Sequence, residues 1–244
     1  MNEDLGVAES KRHTGNVTDS RSVQLEGLVL VHRDFSDSHR IVEVLTAEEG
    51  RISLLARGGR RSRRRFSGAL DLFVTLRMQV RASGNLWTLS SAEVLRPRIG
   101  IRSDLASLAR ATQLLELARH LSPEREGAPT LLAVLSDALD RIDAGDITGA
   151  ALAYPAMLKV AGVLPEVERC AQCGSPGRPG RIVDGEFICT SCRPGRGAIG
   201  PEVLATWRGE PPPDEETARG VENSILDYAE AALGIRMKSR HLSM

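Results

Sequence analysis

The stretch VTLRMQV, residues 74–80, decides the fold of the first half of this 244-residue chain. Its apolar and polar residues alternate at period two, which is the pattern of a strand with one buried face. Ser83-Gly84-Asn85 has the composition of a tight turn, and apolar residues resume between positions 86 and 95. The stretch and its continuation therefore predict a β-hairpin.

Three earlier runs of apolar residues predict further strands, near residues 23–31, 41–45 and 52–56. The second run ends at the turn Glu48-Glu49-Gly50, and the third ends at Gly58-Gly59. Five short strands joined by tight turns suit a small closed or nearly closed barrel better than a sandwich. We therefore expect residues 21–100 to form a β-barrel domain.

Beyond Pro97 the apolar residues recur at helical spacing. Helices are expected over residues 105–121, 131–142 and 147–161, with Ser103 as the first N-cap and Pro155 as a kink. A short helix at 203–207 precedes an amphipathic one through 221–233, whose acidic first turn begins at Asp214. The fold class is accordingly α+β, with a barrel followed by an α-helical domain over residues 101–244.

Charge is distributed unevenly along the chain, although its 32 basic and 32 acidic residues cancel. Residues 21–102 hold fifteen arginines against eight acidic residues, whereas residues 103–169 and 201–244 are mildly acidic. Such asymmetry indicates a polyanionic partner for the N-terminal domain. Residues 1–20 contain few apolar side chains, and we expect them to be a disordered tail.

No stretch of the sequence is long and apolar enough to span a membrane, and the N-terminal residues lack the apolar core of a secretory signal. We therefore expect a cytoplasmic protein, in which thiols stay reduced. Its four cysteines then suit metal ligands or redox groups better than disulfides.

The cysteines occur as two Cys-x2-Cys pairs, Cys170 with Cys173 and Cys189 with Cys192, separated by fifteen residues. This spacing is typical of structural zinc sites, because each pair can direct two thiolates at one tetrahedral ion. Asp184-Gly185 predicts a hairpin that brings the pairs together. Residues 169–197 are therefore interpreted as a zinc-ribbon insertion with a structural Zn²⁺. The alternatives are two unrelated thiol pairs or one redox pair.

An arginine-rich loop follows the third predicted strand, with six arginines between residues 57 and 65 and no carboxylate between Arg51 and Asp71. Like charges this close repel one another, and a phosphate backbone would relieve the repulsion while releasing counterions. An acidic protein partner or an ordinary surface loop is the alternative interpretation. We predict DNA contacts for eight arginines in and near this loop: Arg33, Arg40, Arg57, Arg60, Arg61, Arg63, Arg64 and Arg65.

Aromatic residues make up only 3% of the chain, so binding should be mainly electrostatic and weakly sequence-selective. Phe35 and Phe66 stand beside the basic segments, but we expect both to be core residues. His39, beside Arg40, is interpreted as an ordinary exposed histidine, the alternative being a place on the binding face. No set of residues in the sequence predicts a catalytic site.

Several short motifs occur in a characteristic order: Thr46-x3-Gly50-Arg51-Ile52, Ala56-Arg57-Gly58-x-Arg60-Arg61, Leu70-x-Leu72-Phe73, Gly84-x-Leu86 and Gly162-x2-Pro165-x4-Cys170-x2-Cys173-Gly174. In this order they resemble the RecO family of bacterial DNA repair proteins, which are recombination mediators. The resemblance covers residues 22–240, with Ser36-Asp37 where the family usually has Gly-Glu.

The resemblance implies an oligonucleotide-binding (OB) fold for the barrel, binding of single- and double-stranded DNA, annealing of complementary strands and no enzymatic turnover. It also implies partnership with RecR, binding of the C-terminal tail of single-stranded-DNA-binding protein, and help in loading the RecA recombinase. Such a protein would be associated with the nucleoid. Some members lack the cysteines, which implies a structural role for zinc.

Two other function classes fit the same residues. A zinc-ribbon transcription or RNA-binding factor would share the basic barrel and the four cysteines, and strand annealing distinguishes it from a recombination mediator. An interaction scaffold with no nucleic-acid role would not bind single strands even at low salt.

Overall fold

The computed structural model describes residues 22–60, 66, 68–82 and 84–243. Five strands form a closed barrel, as predicted: β1 (Ser22–Phe35), β2 (His39–Thr46), β3 (Gly50–Ala56), β4 (Thr75–Arg81) and β5 (Trp87–Arg96). The expected tail, residues 1–20, lies outside the described residues, as does Ser83 of the predicted turn.

Closure of the barrel depends on two pairings between strands that are not sequential. The first half of β1 pairs with β4, and its second half pairs with β2. Parallel pairing of β3 with β5 places Leu54 opposite Trp87 and Ala56 opposite Leu89. The resulting order β1-β2-β3-β5-β4 is that of an OB-fold, so the fold implied by the resemblance is confirmed.

The second half of the chain is helical, which confirms the α+β fold class. Its helices are α1 (Leu105–Leu121), α2 (Pro129–Asp143), α3 (Ile147–Ala150), α4 (Ala153–Val160), α5 (Pro201–Trp207) and α6 (Glu215–Leu233). Two short strands, β6 (Gly180–Val183) and β7 (Glu186–Cys189), form a hairpin between α4 and α5. Among the described residues, no helix has the length and apolar character needed to cross a membrane.

The N-cap of α1 and the continuity of the third predicted helix differ from the sequence prediction. Asp104, not Ser103, caps α1, because its carboxylate accepts the N–H of Ser107 at 2.9 Å. The helix expected over residues 147–161 is divided into α3 and α4. Pro155 accounts for the division, since it has no N–H to donate to the carbonyl four residues earlier.

Strand β1 joins the barrel to the helices because both of its faces are buried. Val29 lies in the barrel core, which also contains Val42 and Val44 of β2. Leu28 and Leu30 point the other way and pack into the helical core. The two cores therefore meet along one strand.

A buried carboxylate lies at this junction. Glu43, on the outer face of β2, accepts two hydrogen bonds from Arg119 of α1, at 2.6 and 3.0 Å, and one from Arg51 at 3.3 Å. Arg51 also pairs with Glu124 at 2.6 Å. Burial raises the pKa of Glu43, but the hydrogen bonds and charges of the two arginines outweigh it and lower the pKa below 4.5.

The Thr46-x3-Gly50-Arg51 motif builds the same junction. The Thr46 hydroxyl donates to the Gly50 carbonyl at 3.0 Å, and the Arg51 N–H donates to the Pro123 carbonyl at 3.0 Å. Gly50 has a φ of 58°, and a Cβ at this position would overlap the carbonyl oxygen of Glu126. Only glycine allows this turn and this close approach together.

Acidification is expected to weaken the junction through Glu43. Because the pKa of Glu43 is lower in the folded protein, its stabilising contribution is complete above the ordinary value of 4.5 and is lost as the pH falls through the folded value. Glu43→Gln should lower the free energy of unfolding by about 3 kcal/mol at neutral pH. The free energy of unfolding of this variant should also fall less steeply as the pH is lowered. Urea unfolding at a series of pH values measures both effects.

Glu26→Gln is the matched control, since Glu26 is an exposed carboxylate that pairs with Arg77 on the barrel surface. It should change the free energy of unfolding by less than about 1 kcal/mol. A Glu43→Gln protein that kept the wild-type acid dependence would contradict the role given to Glu43.

Candidate nucleic-acid interface and metal centre

Four of the arginines predicted to contact DNA lie at one end of the barrel. Arg33 and Arg40 belong to the β1–β2 hairpin, and Arg40 is opposite Ala56, the last residue of β3. Arg57 and Arg60 follow directly after β3. We call Arg33, Arg40, Arg57 and Arg60 the basic rim. The other four predicted residues lie outside the described part of the chain: Arg61, Arg63, Arg64 and Arg65.

Asp34 offsets part of the charge of the basic rim. Its carboxylate pairs with Arg40 at 3.1 Å and with Arg60 at 3.2 Å. These groups are partly exposed, so solvent screens the pairs and a phosphate can replace the carboxylate. Within the described part of the chain, no salt bridge includes Arg33. The sequence alone did not point to Asp34, because only the strand register sets it opposite Arg40.

His39 holds the beginning of the arginine-rich loop. Its Nδ1 accepts the N–H of Gly58 at 3.1 Å and lies 3.1 Å from the Ser38 hydroxyl. Gly58 has a φ of 72°, which glycine adopts without strain. The interpretation of His39 as an ordinary exposed histidine is therefore wrong. The partly buried ring ties the loop to the β1–β2 hairpin.

Much of the remaining positive charge of the barrel is used within the protein. The buried guanidinium of Arg98 donates to Asp140 at 2.6 Å and to the Phe73 carbonyl at 2.9 Å. Arg51 and Arg77 pair with glutamates on neighbouring strands. The excess of arginines in residues 21–102 therefore overstates the charge available to a ligand. The four arginines of the basic rim come together at one end of the barrel.

The two phenylalanines beside the basic segments have different environments. Phe66 is 3% exposed in the barrel core, as expected. Phe35 is 51% exposed, so the prediction that it is a core residue is wrong. The reason is its position at the end of β1, where the strand extends past both cores and its last three residues are exposed.

The four cysteines form one cluster, with all four sulfur atoms within 4.8 Å of one another. The Sγ atoms of Cys173 and Cys189 are 3.7 Å apart. A tetrahedral ion with metal–sulfur bonds of about 2.3 Å would set its ligands about 3.8 Å apart. The predicted hairpin thus brings both pairs together, which excludes two unrelated thiol pairs. The sulfur atoms fit a metal ion.

Hydrogen bonds within the cluster favour thiolates at two positions. The N–H of Cys189 donates to the Cys170 sulfur at 3.3 Å and lowers the pKa of Cys170. Ser175 lowers the pKa of Cys173 to about 6 through its side chain and its backbone. A hydrogen bond with Cys173 raises the pKa of Cys192 to about 12. These sulfur atoms share protons that a divalent cation would displace.

The cysteine insertion packs on the helices. Phe187 of β7 is fully buried in the helical core, together with Val167. Gly180 and Ile199 exchange backbone hydrogen bonds of 3.2 and 2.6 Å just before α5. The cluster therefore joins segments of the chain between α4 and α5.

The fold and the sites define a class of protein in which an OB barrel with a basic rim is joined to helices that carry a four-cysteine cluster. Residues 21–98 match the family model described as Recombination protein O N terminal, and residues 102–208 match Recombination protein O C terminal. The chain belongs to the RecO family.

Curated relatives share most of the chain. DNA repair protein RecO of Myxococcus xanthus (strain DK1622) is 33% identical over 231 residues, which are 88% of this chain and 93% of the relative. The protein of the same name from Anaeromyxobacter sp. (strain Fw109-5) is 38% identical over 242 residues, covering 89% of this chain and 94% of the relative. That from Anaeromyxobacter sp. (strain K) is 39% identical over 181 residues, 71% of each chain.

Disruption of the four-cysteine cluster is expected to release the cysteine insertion. Cys170→Ser should lower the metal content and make residues 169–197 sensitive to protease, because the β6–β7 hairpin no longer holds Phe187 in the helical core. Limited proteolysis and metal analysis of the same sample measure this. Ser191→Ala, between two ligands, is the control and should behave as wild type. A metal-free Cys170→Ser protein with a resistant insertion would argue against a structural metal.

Proposed function

We propose that this protein is a DNA-binding recombination mediator in DNA repair. The observation that carries the proposal is the basic rim, where four arginines from two separate segments converge at one end of an OB barrel. Arg61, Arg63, Arg64 and Arg65 continue the same segment and would extend its surface. Membership of the RecO family and the name of its curated relatives support the repair role. Residues 21–100 would form the DNA-binding domain.

Annealing of complementary strands is the activity that such a surface favours. Two single strands repel each other through their phosphates, and clustered guanidinium groups neutralise that charge. With few aromatic side chains available, most bases stay free to pair with the second strand. Neutralisation and positioning are sufficient for annealing, so we propose a mediator without enzymatic turnover.

Zinc is the metal that we assign to the four-cysteine cluster. Four thiolates complete a tetrahedral shell and leave no position for water or substrate, which is the arrangement of a structural ion. Cys170, Cys173, Cys189 and Cys192 would hold it, and it would supply folding energy to an insertion with a very small core of its own.

The proposed partners follow from family membership. They are single- and double-stranded DNA, RecR, the C-terminal tail of single-stranded-DNA-binding protein and, through these, the RecA recombinase. A mediator with these partners would act at the nucleoid.

Removing charge from the arginine-rich loop tests the proposal. Replacing Arg60, Arg61, Arg63 and Arg64 with alanine should reduce the slope of log affinity against log salt by several units, because about one counterion is released for each phosphate contact. The same variant should anneal complementary oligonucleotides more slowly. Binding measured over a salt series, together with an annealing assay, gives both quantities.

A matched control removes the same charge elsewhere. Arg125, Arg178, Arg219 and Arg236 are exposed on the second half of the chain, and replacing them with alanine should leave the salt slope within one unit of wild type. Equal slopes in the two variants would remove the loop from the DNA site. Failure of the wild-type protein to anneal strands would favour a zinc-ribbon transcription or RNA-binding factor.

Removal of the negative charge of Asp34 should strengthen DNA binding instead of weakening it. Asp34→Asn removes the carboxylate that pairs with Arg40 and Arg60, so DNA affinity should rise roughly twofold to fivefold at low salt. Asp37→Asn removes an equal charge from the same hairpin turn and should have a smaller effect. Unchanged or weaker binding by Asp34→Asn would place the DNA away from these arginines.

A further inference from the structure

One aromatic side chain of this protein differs from the other seven in its exposure. The structure describes all eight, and seven of them are buried or partly buried. Phe35 is 51% exposed. Burial of a phenylalanine ring in a core stabilises the fold, and Phe35 forgoes about half of that burial. The position of the ring, together with its exposure, indicates that it contacts a ligand.

Phe35 lies on the outer face of the β1–β2 hairpin. Val42 and Val44 face the barrel core, so the alternate residues of β2 face outward. The register sets Phe35 opposite His39, and Arg33 opposite Ile41, on that outward side. Arg33 and Phe35 are two residues apart on one face of an extended strand, a separation of about 6.6 Å.

The exposed ring has a cation beside it on the same strand and a fixed residue opposite it on β2. His39, across the hairpin from Phe35, is held by the Gly58 N–H at 3.1 Å. Arg33, on the same face, forms no salt bridge with any described residue. An aromatic face beside an arginine is the arrangement that holds one base and its phosphate in single-stranded nucleic acid.

We propose that Phe35 stacks on an unpaired nucleobase of single-stranded DNA while Arg33 contacts the adjoining phosphate. This inference rests on the proposed DNA-binding function and adds a preference to it. The basic rim attracts any phosphate backbone. The ring adds affinity only for a strand whose bases are accessible for stacking. A single stacking position holds one nucleotide of a strand and leaves its neighbours free to pair.

Oligonucleotides with and without bases test the stacking contact. A single strand and an abasic strand of equal length carry the same phosphates, so wild-type protein should bind the base-bearing strand about tenfold more tightly. Phe35→Ala should lose most of that difference. Its affinity for the abasic strand and for duplex DNA should stay within about twofold of wild type, with the same salt slope, because no charge is removed.

Val23→Ala is the matched control for the loss of an exposed apolar side chain. Val23 is 39% exposed at the opposite end of the same strand, where it pairs with Val80 of β4. It should retain the wild-type ratio of affinities for base-bearing and abasic strands. Thermal unfolding of both variants confirms that the barrel is intact.

A Phe35→Trp protein reports on stacking directly. Trp87 and Trp207 are 8% and 2% exposed, so a change in fluorescence relative to wild type comes from position 35. The base-bearing strand should quench this signal at saturation, and the abasic strand should leave it unchanged. Because tryptophan also stacks, this variant should keep the wild-type affinity ratio.

The outcomes separate the stacking contact from the proposed function. If wild-type protein binds base-bearing and abasic strands equally, or if Phe35→Ala keeps the wild-type ratio, the stacking contact is wrong and electrostatic DNA binding stands. If Phe35→Ala weakens all three substrates alike, the ring is a structural or protein contact, and the stacking contact is again wrong. If wild-type protein binds none of them at low salt, both proposals fall.

Discussion

A single strand, β1, has to satisfy two hydrophobic cores, and the rest of the structure is arranged around it. Val29 is buried in the barrel, while Leu28 and Leu30 are buried against the helices. A shift of register between Val29 and Val31 adjusts the pairing with β2 within this region. Past the bulge the strand leaves both cores and carries Arg33 and Phe35 into solvent. The element that joins the two halves of the protein thus also presents its candidate binding surface.

The arginines fall into two groups: in one, at least one member of each ion pair is buried, and in the other neither member is. Burial lowers the pKa of Arg98, and the hydrogen bond and charge of Asp140 oppose that effect, because a buried cation needs a fixed partner. Arg51 and Arg119 pair with the buried carboxylate of Glu43. Arg40 and Arg60 share the partly exposed carboxylate of Asp34, and solvent screens both of these ion pairs. The first group holds the barrel against the helices, and the second can exchange its partner for a phosphate.

Local sequence patterns predicted most of the strands and helices. They could not decide between two residues with the same local preference. Period-two alternation identified β4, runs of apolar residues bounded by turns identified the other four barrel strands, and the Asp184-Gly185 turn identified the hairpin of the insertion. Ser103 and Asp104 are both good capping residues, and only the backbone geometry shows that Asp104 accepts the bond. Phe35 and Phe66 are equally apolar in sequence, yet one ends a strand beyond the packed region and the other fills the barrel. Apolar character predicts where a side chain can be buried, and the surrounding elements decide whether it is.

Sequence alone determined the strand and helix periods, the cysteine spacing that places four sulfur atoms around one point, and the run of like charge after β3. These properties depend on residues close together in the chain, so they are visible without a fold. The tertiary structure decided which arginines remain available, that Asp34 lies between two of them, that His39 holds Gly58 and that Phe35 faces solvent. These depend on strand register and barrel closure, since a shift of one residue in the pairing of β1 with β2 would give Asp34 and Phe35 different partners and turn the side chains of one strand to the opposite face.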